Sequence, residues 1–167
     1  MTKKLFVLRH AKSSWDDPDL DDHDRPLAQR GRRAAEVVAE HVRANEVEPD
    51  IVLCSSARRT RETLETVKPR GEWVIDPELY GADADTVLDR IRGVPEASRT
   101  VMVIGHNPAM QELVLDLAGT GDELDEARHK FPTGALATLT FECAWGELSS
   151  GSAHLSSFVR PKQLSRA

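Results

Sequence analysis

The chain has 167 residues, 40% apolar, 30% charged and only 5% aromatic, a balance that fits one globular domain rather than a disordered or membrane chain. With 28 acidic against 22 basic side chains the formal charge is −6, which speaks against a nucleic-acid partner, since such a surface needs a net basic face. No apolar run approaches the ~20 residues of a membrane span, and the run behind Lys3 and Lys4 is too brief for a signal-peptide core, so a cytoplasmic protein without a membrane partner is expected.

Residues 5–8 open the chain's structure as a short run rich in Val and Leu, and similar runs occur at 51–54 and 101–104. Continuous apolar runs of this length read as strands buried on both faces. Between them, Leu27, Gly31, Ala35, Val38 and Val42 recur at helical spacing over 26–44, with Asp24 or a neighbour as cap. A second helix is expected over 83–92, with an aspartate at its start and Gly93 beyond its end. A third begins at Asn107 as N-cap with Pro108 in the first turn, its stripe of Met110, Leu113, Val114 and Leu117 ending at Gly119. Residues 120–130 then read as a polar connection, 135–143 and 154–160 as strands, 145–152 as the turn between them, and 161–167 as a loose polar tail. Strands alternating with helices predict an α/β fold, a three-layer sandwich whose mostly parallel central sheet is flanked by helices, as one domain over 1–160. Cys54 and Cys143 stand far apart and outside any metal-like spacing, so both are expected as free thiols.

Ligands of open α/β sheets bind beyond the carboxyl ends of the strands. Directly after the three runs stand Arg9-His10, then Ser55-Ser56 leading to Arg58-Arg59, then Gly105-His106-Asn107. Two histidines, several arginines and a helix N-terminus on one edge suit a phosphate, whose oxygens pair with guanidinium forks and helix-start amides. Other chemistries fit less well. The alternating aspartates of 16–24 resemble a calcium loop, but Asp22 stands where the turn glycine belongs and Ala28 where the bidentate glutamate belongs. His23, His41, His129 and His154 form no zinc spacing, and no GxGxxG succeeds the first strand.

The run Arg9-His10-Ala11-Lys12-Ser13 resembles the Arg-His-Gly motif of the histidine phosphatase superfamily, the phosphoglycerate-mutase-like or branch 1 group. The resemblance continues through Arg25-Pro26-Leu27, Gly31, the run from Ser55 to Thr63, and Gly105-His106-Asn107-Pro108, in order over nearly the whole chain. The short length, the Trp15 that closes the first motif, and Phe131-Pro132-Thr133-Gly134 are most similar to SixA-like phosphohistidine phosphatases.

That resemblance implies His10 as nucleophile, Arg9 and Arg59 holding the phosphoryl oxygens, and His106 binding the same group opposite. Arg59 is chosen over Arg58 because the family spacing runs from Ser55 to an arginine four residues on and then to Thr63. Ser13 and Asn107 join the expected phosphate-binding set, and Glu78 is the nearest match to the superfamily's general acid. Ala11 replaces the usual glycine after the nucleophile, and Lys12 stands where mutases of the group often carry an acid, which disfavours mutase activity. The expected chemistry is a metal-independent phosphatase without cofactor, working through a phosphohistidine on His10. Its partner is a phosphohistidine protein or a small phosphorylated substrate. The rivals are a phosphatase for small phosphate esters and a non-catalytic phosphate-binding module.

Overall fold

The computed structural model describes residues 1–165. Seven strands form one sheet: β1 (Lys3–Arg9), β2 (Ile51–Ser55), β3 (Glu72–Asp76), β4 (Thr100–Gly105), β5 (Ala118–Thr120), β6 (Leu136–Phe141) and β7 (Ala153–Val159). Six helices connect them: α1 (Gln29–Ala44), α2 (Arg58–Val67), α3 (Ala84–Arg92), α4 (Ala109–Leu117), α5 (Leu124–His129) and α6 (Pro161–Leu164). The strand order is β3-β2-β4-β1-β6-β7-β5. Neighbours from β3 to β1 are parallel, whereas β6 runs antiparallel to both β1 and β7.

The apolar runs do not alternate because both faces of the sheet are covered. Phe6, Leu8, Val52, Cys54, Met102 and Ile104 pack against Val38 and Val42 of α1 and Leu64 and Val67 of α2. The intervening Leu5, Val7, Leu53, Val101 and Val103 face the other way, against Val87 and Ile91 of α3 and Leu113 and Val114 of α4. This is the expected α/β architecture of two helical layers around a mostly parallel sheet. Each such Leu, Ile or Val contributes ~1.5–3 kcal/mol by leaving water.

Several boundaries differ from the sequence reading, each for a local reason. α1 starts at Gln29, and its N-cap position is Ala28 with no side-chain cap; Asp24 lies instead in a 3-10 turn at Asp22–Asp24. Residues 26–28 stay extended because they bind the loop after β1: Ser14 N–H donates to Pro26 O at 2.8 Å and Ala28 N–H to Lys12 O at 2.9 Å. α4 begins at Ala109, and Asn107 sits just outside it, accepting Gln111 N–H at 3.3 Å. The polar connection 120–130 contains α5, which buries Ala127 and is held by Gln111 Nε2 on the Ala127 carbonyl at 2.9 Å. The connection 145–152 opens with a 3-10 turn that buries Trp145 completely, its indole N–H on Ser98 O at 2.6 Å. The expected loose tail forms the turn α6, packed along α1; Arg166 and Ala167 of that expected tail lie outside the described residues. Cys54 and Cys143 are free.

Candidate active site

Strand register levels the carboxyl ends of the central strands. Arg9 of β1 lies beside Gly105 of β4, and Cys54 of β2 beside Ile104 of β4. The residues at or just beyond those ends therefore meet, and His10 N–H extends the ladder by donating to Gly105 O at 3.1 Å. The rings of His10 and His106 stand 5.3 Å apart.

The backbone around His10 is held from three sides. Ala11 N–H donates to Thr63 Oγ1 at 3.0 Å, and that hydroxyl donates to Arg59 O at 2.8 Å, tying the loop to α2. Gly134 N–H reaches both Arg9 O and His10 O, at 3.0 and 2.9 Å. Gly134 has φ +78°, and a Cβ there would come within 2.7 Å of Pro161 Cγ, so glycine answers both the turn and the close approach. On the third side α1 presses against the loop at Gly31, where a Cβ would run into the Lys12 carbonyl oxygen.

The hydrogen bonds of His10 fix its tautomer. Its Nδ1 lies 2.6 Å from Ala11 O, and a carbonyl can only accept, so Nδ1 carries the proton and Nε2 keeps a free lone pair. Burial first, and then the nearby cations Arg59 and Arg9, outweigh that carbonyl and lower the His10 pKa to about 3. His106 is likewise lowered to about 4, by burial and by Arg59. Its Nε2 contacts Ser55 Oγ at 2.8 Å and its Nδ1 lies 3.4 Å from Arg59 Nη2, which can only donate. Both imidazoles are neutral at pH 7.

Two guanidinium groups flank the histidines. Arg9 gives Nη1 to Phe131 O at 2.9 Å, while Arg59 gives Nη1 to Asp22 O at 2.8 Å and Nη2 to the Asp22 carboxylate at 3.1 Å. Among the described residues, the Nε atoms of Arg9 and Arg59 are the buried side-chain polar atoms without a hydrogen-bond partner. A buried unmet donor costs ~1–3 kcal/mol, and an acceptor-rich anion would satisfy these two. Arg58, the rival, is 44% exposed and pairs with Glu62 on its own helix. Burial also pushes the Cys54 thiol up to about 12, so it offers no thiolate nucleophile.

The remaining expected residues have specific partners. Ser13 Oγ accepts Arg25 Nη1 at 2.8 Å, leaving its own hydroxyl proton to give. Asn107 Nδ2 donates to Phe131 O at 2.9 Å, the carbonyl that Arg9 also holds, so it braces the arginine's anchor. Glu78 is exposed on the 3-10 turn Pro77–Leu79, and its carboxylate has no hydrogen bond or ion pair among the described residues. Three residues outside the sequence-based set reach the site instead. Tyr80 donates to the Asp22 carboxylate at 2.6 Å and sets its ring edge-on to His106 at 5.8 Å, and His23 packs edge-on to Tyr80 at 4.8 Å. The Tyr80 hydroxyl, then Arg59 and Arg25, hold Asp22 down to about 2. Among the described residues no group of three or more His, Cys, Asp or Glu side chains could hold a metal ion, and no helix is long and apolar enough to cross a membrane.

Residues 5–87 match the family model of the histidine phosphatase superfamily (branch 1). An uncharacterized protein of Mycobacterium leprae is 37% identical over 161 residues, covering 93% of this chain and 100% of its own length. The chain belongs to the histidine phosphatase superfamily, branch 1. A solved SixA-type protein of Nakamurella multipartitia superposes with a TM-score of 0.86 at 31% identity, over 96% of this chain and 97% of that one. The phosphohistidine phosphatase SixA of Escherichia coli K12 is 29% identical over 146 residues, 83% of this chain and 86% of its own. The protein is thus a SixA-like phosphatase of this superfamily.

Proposed function

We propose that the protein hydrolyses phosphohistidine in proteins through a covalent phosphohistidine on its own His10. The observation that carries this reading is the locked tautomer: Nδ1 on Ala11 O leaves Nε2 free beside the half-buried Arg9 and the buried Arg59. The Nε2 lone pair attacks phosphorus, the bond to the leaving group breaks, and the leaving group departs with that electron pair and takes up a proton. Water then attacks phosphorus, the P–Nε2 bond breaks, and phosphate leaves as His10 returns. Arg9 and Arg59 flank the equatorial oxygens, supplying by side chains the charge complementarity that phosphoryl transfer requires, with no metal or cofactor, and neutral His106 faces the same group from across His10. Ser13 adds a hydroxyl donor.

The groups near the site decide which leaving group is favoured. An alkoxide needs a proton as it departs, whereas an imidazole, with a pKa of ~6.5, leaves without strong assistance. Asp22, held at about 2, is ionised at neutral pH and has no proton to give. Glu78 is the carboxylate left for general acid, and its exposed position suits it poorly. Phosphoramidates and activated aryl phosphates are therefore the favoured substrates. The test is kcat/KM for a phosphohistidine peptide, para-nitrophenyl phosphate and glycerol phosphate, in the native protein and in Glu78→Gln. The first two should exceed the alkyl ester by about 10²-fold or more, the usual worth of a general acid, and Glu78→Gln should harm the alkyl ester most. A preference for glycerol phosphate would replace this reading with a small-ester phosphatase.

A further inference from the structure

Beside the catalytic loop runs a groove of about 1040 Å³ that the chemistry above leaves unused, bounded by the first half of α1, residues 129–133 and α6. Its lining carries Lys12, Arg30, Arg33, Lys130, Arg160 and Lys162 and no aspartate or glutamate. None of the six pairs with a carboxylate among the described residues, although the chain as a whole carries −6. The fold does not need them there, since α1 is anchored through buried Val38 and Val42, which do not line the groove. Six like charges along one groove, with no carboxylate partner among the described residues, repel one another, and an anionic partner relieves that repulsion.

The groove is continuous with the site. Lys12 lies two residues beyond His10, a reach of about 7 Å. Phe131 gives its carbonyl to Arg9 and Gly134 gives its N–H to His10 O, while Pro132 and Thr133 between them line the groove.

Resting on the protein-phosphohistidine reading of the site, we propose that this groove docks an acidic segment of the phosphorylated protein substrate. Its extent argues against a single small phosphate: Arg30 to Val37 alone spans about 10 Å along α1. A second feature points to a protein. Trp15 is 75% exposed on the loop after His10, with the buried Arg25 guanidinium 3.5 Å from its ring centre. An exposed indole stacked on a guanidinium is the kind of anchor protein interfaces use, and a small ester has no use for it. The groove lining contains no aromatic ring apart from His129, so it lacks the stacking platform that single-stranded nucleic acid requires.

The experiment uses two histidine peptides that differ only in flanking glutamates or flanking glutamines, each in a fluorescein-labelled form for anisotropy and a phosphoramidate-treated form for turnover. The proteins are the native chain, Arg30→Ala/Arg33→Ala, and Arg32→Ala, whose side chain pairs with Glu62 outside the groove. The native chain should bind the glutamate peptide about tenfold or more tightly than the glutamine peptide, a preference that shrinks with added salt. Arg30→Ala/Arg33→Ala should lose it, Arg32→Ala should keep it, and all three should hydrolyse para-nitrophenyl phosphate equally. Equal binding of both peptides, or a preference surviving in the double variant, overturns the proposal. So does displacement of the peptide by tripolyphosphate or a short single-stranded RNA at lower concentration than by unlabelled peptide. Failure to hydrolyse either phosphopeptide, with the binding preference intact, would overturn the phosphohistidine reading and leave the groove's acidic occupant standing.

Discussion

Arg59 clasps Asp22 at two points, donating to its backbone carbonyl at 2.8 Å and to its carboxylate at 3.1 Å. The carboxylate therefore occupies one donor that a phosphoryl oxygen would use, while the carbonyl bond aims the guanidinium at His106. Asp22→Ala removes the competing charge. The expected outcome is tighter inhibition by tungstate, up to about fivefold, the worth of one solvent-exposed ion pair, together with a lower kcat on para-nitrophenyl phosphate. A Ki that stays the same or rises contradicts this role.

Arg59 and Arg58 are neighbours with opposite surroundings, one buried against Asp22 and His106, the other exposed against Glu62. Arg59→Ala should cost ~10³–10⁵ in kcat, the range for an arginine on a transferring phosphoryl group, whereas Arg58→Ala should stay within about twofold. Because these cations are side chains, turnover should persist in EDTA. Equal losses at the two arginines, or activity abolished by the chelator and restored by a metal, would break the assignment.

Much of this arrangement is legible in the sequence because burial on both faces makes β1, β2 and β4 uniformly apolar, and Arg9, His10, Ser55 and His106 sit at or directly beyond their ends. β3 is hidden because it is an edge strand, with Trp73 and Ile75 exposed among polar neighbours. α5 is hidden because its burial rests on Ala127 and half-buried Leu124. Asp22, His23 and Tyr80 escape for another reason: their place depends on the path of two loops, and no periodicity records where a loop returns. The general acid shows the same limit, since family pattern points to Glu78 whereas the fold brings Tyr80, two residues later, into contact with His106.

The buried histidines also set a pH dependence of stability. With folded pKa values of about 3 for His10 and about 4 for His106, both below the ~6.5 of an unfolded histidine, the unfolded chain binds more protons between those limits. Their contribution is present above pH ~6.5 and is lost as pH falls toward about 3. The native Tm should decline over this window more steeply than that of His10→Asn, and the His10 ring protons in NMR should keep the neutral form's shifts at pH 5. A His10 titration midpoint near 6.5 would refute the buried neutral nucleophile.

Every step of the proposed chemistry depends on His10 Nε2 taking the phosphoryl group. Rapid acid-free quench after brief incubation with para-nitrophenyl phosphate, with mass spectrometry of the intact chain and its peptides, reads this directly. The expected product is a chain heavier by one phosphoryl group, acid-labile and alkali-stable, mapping to His10 and absent from His10→Ala. The same label on His10→Ala, or on His106 or a serine of the native chain, would contradict it.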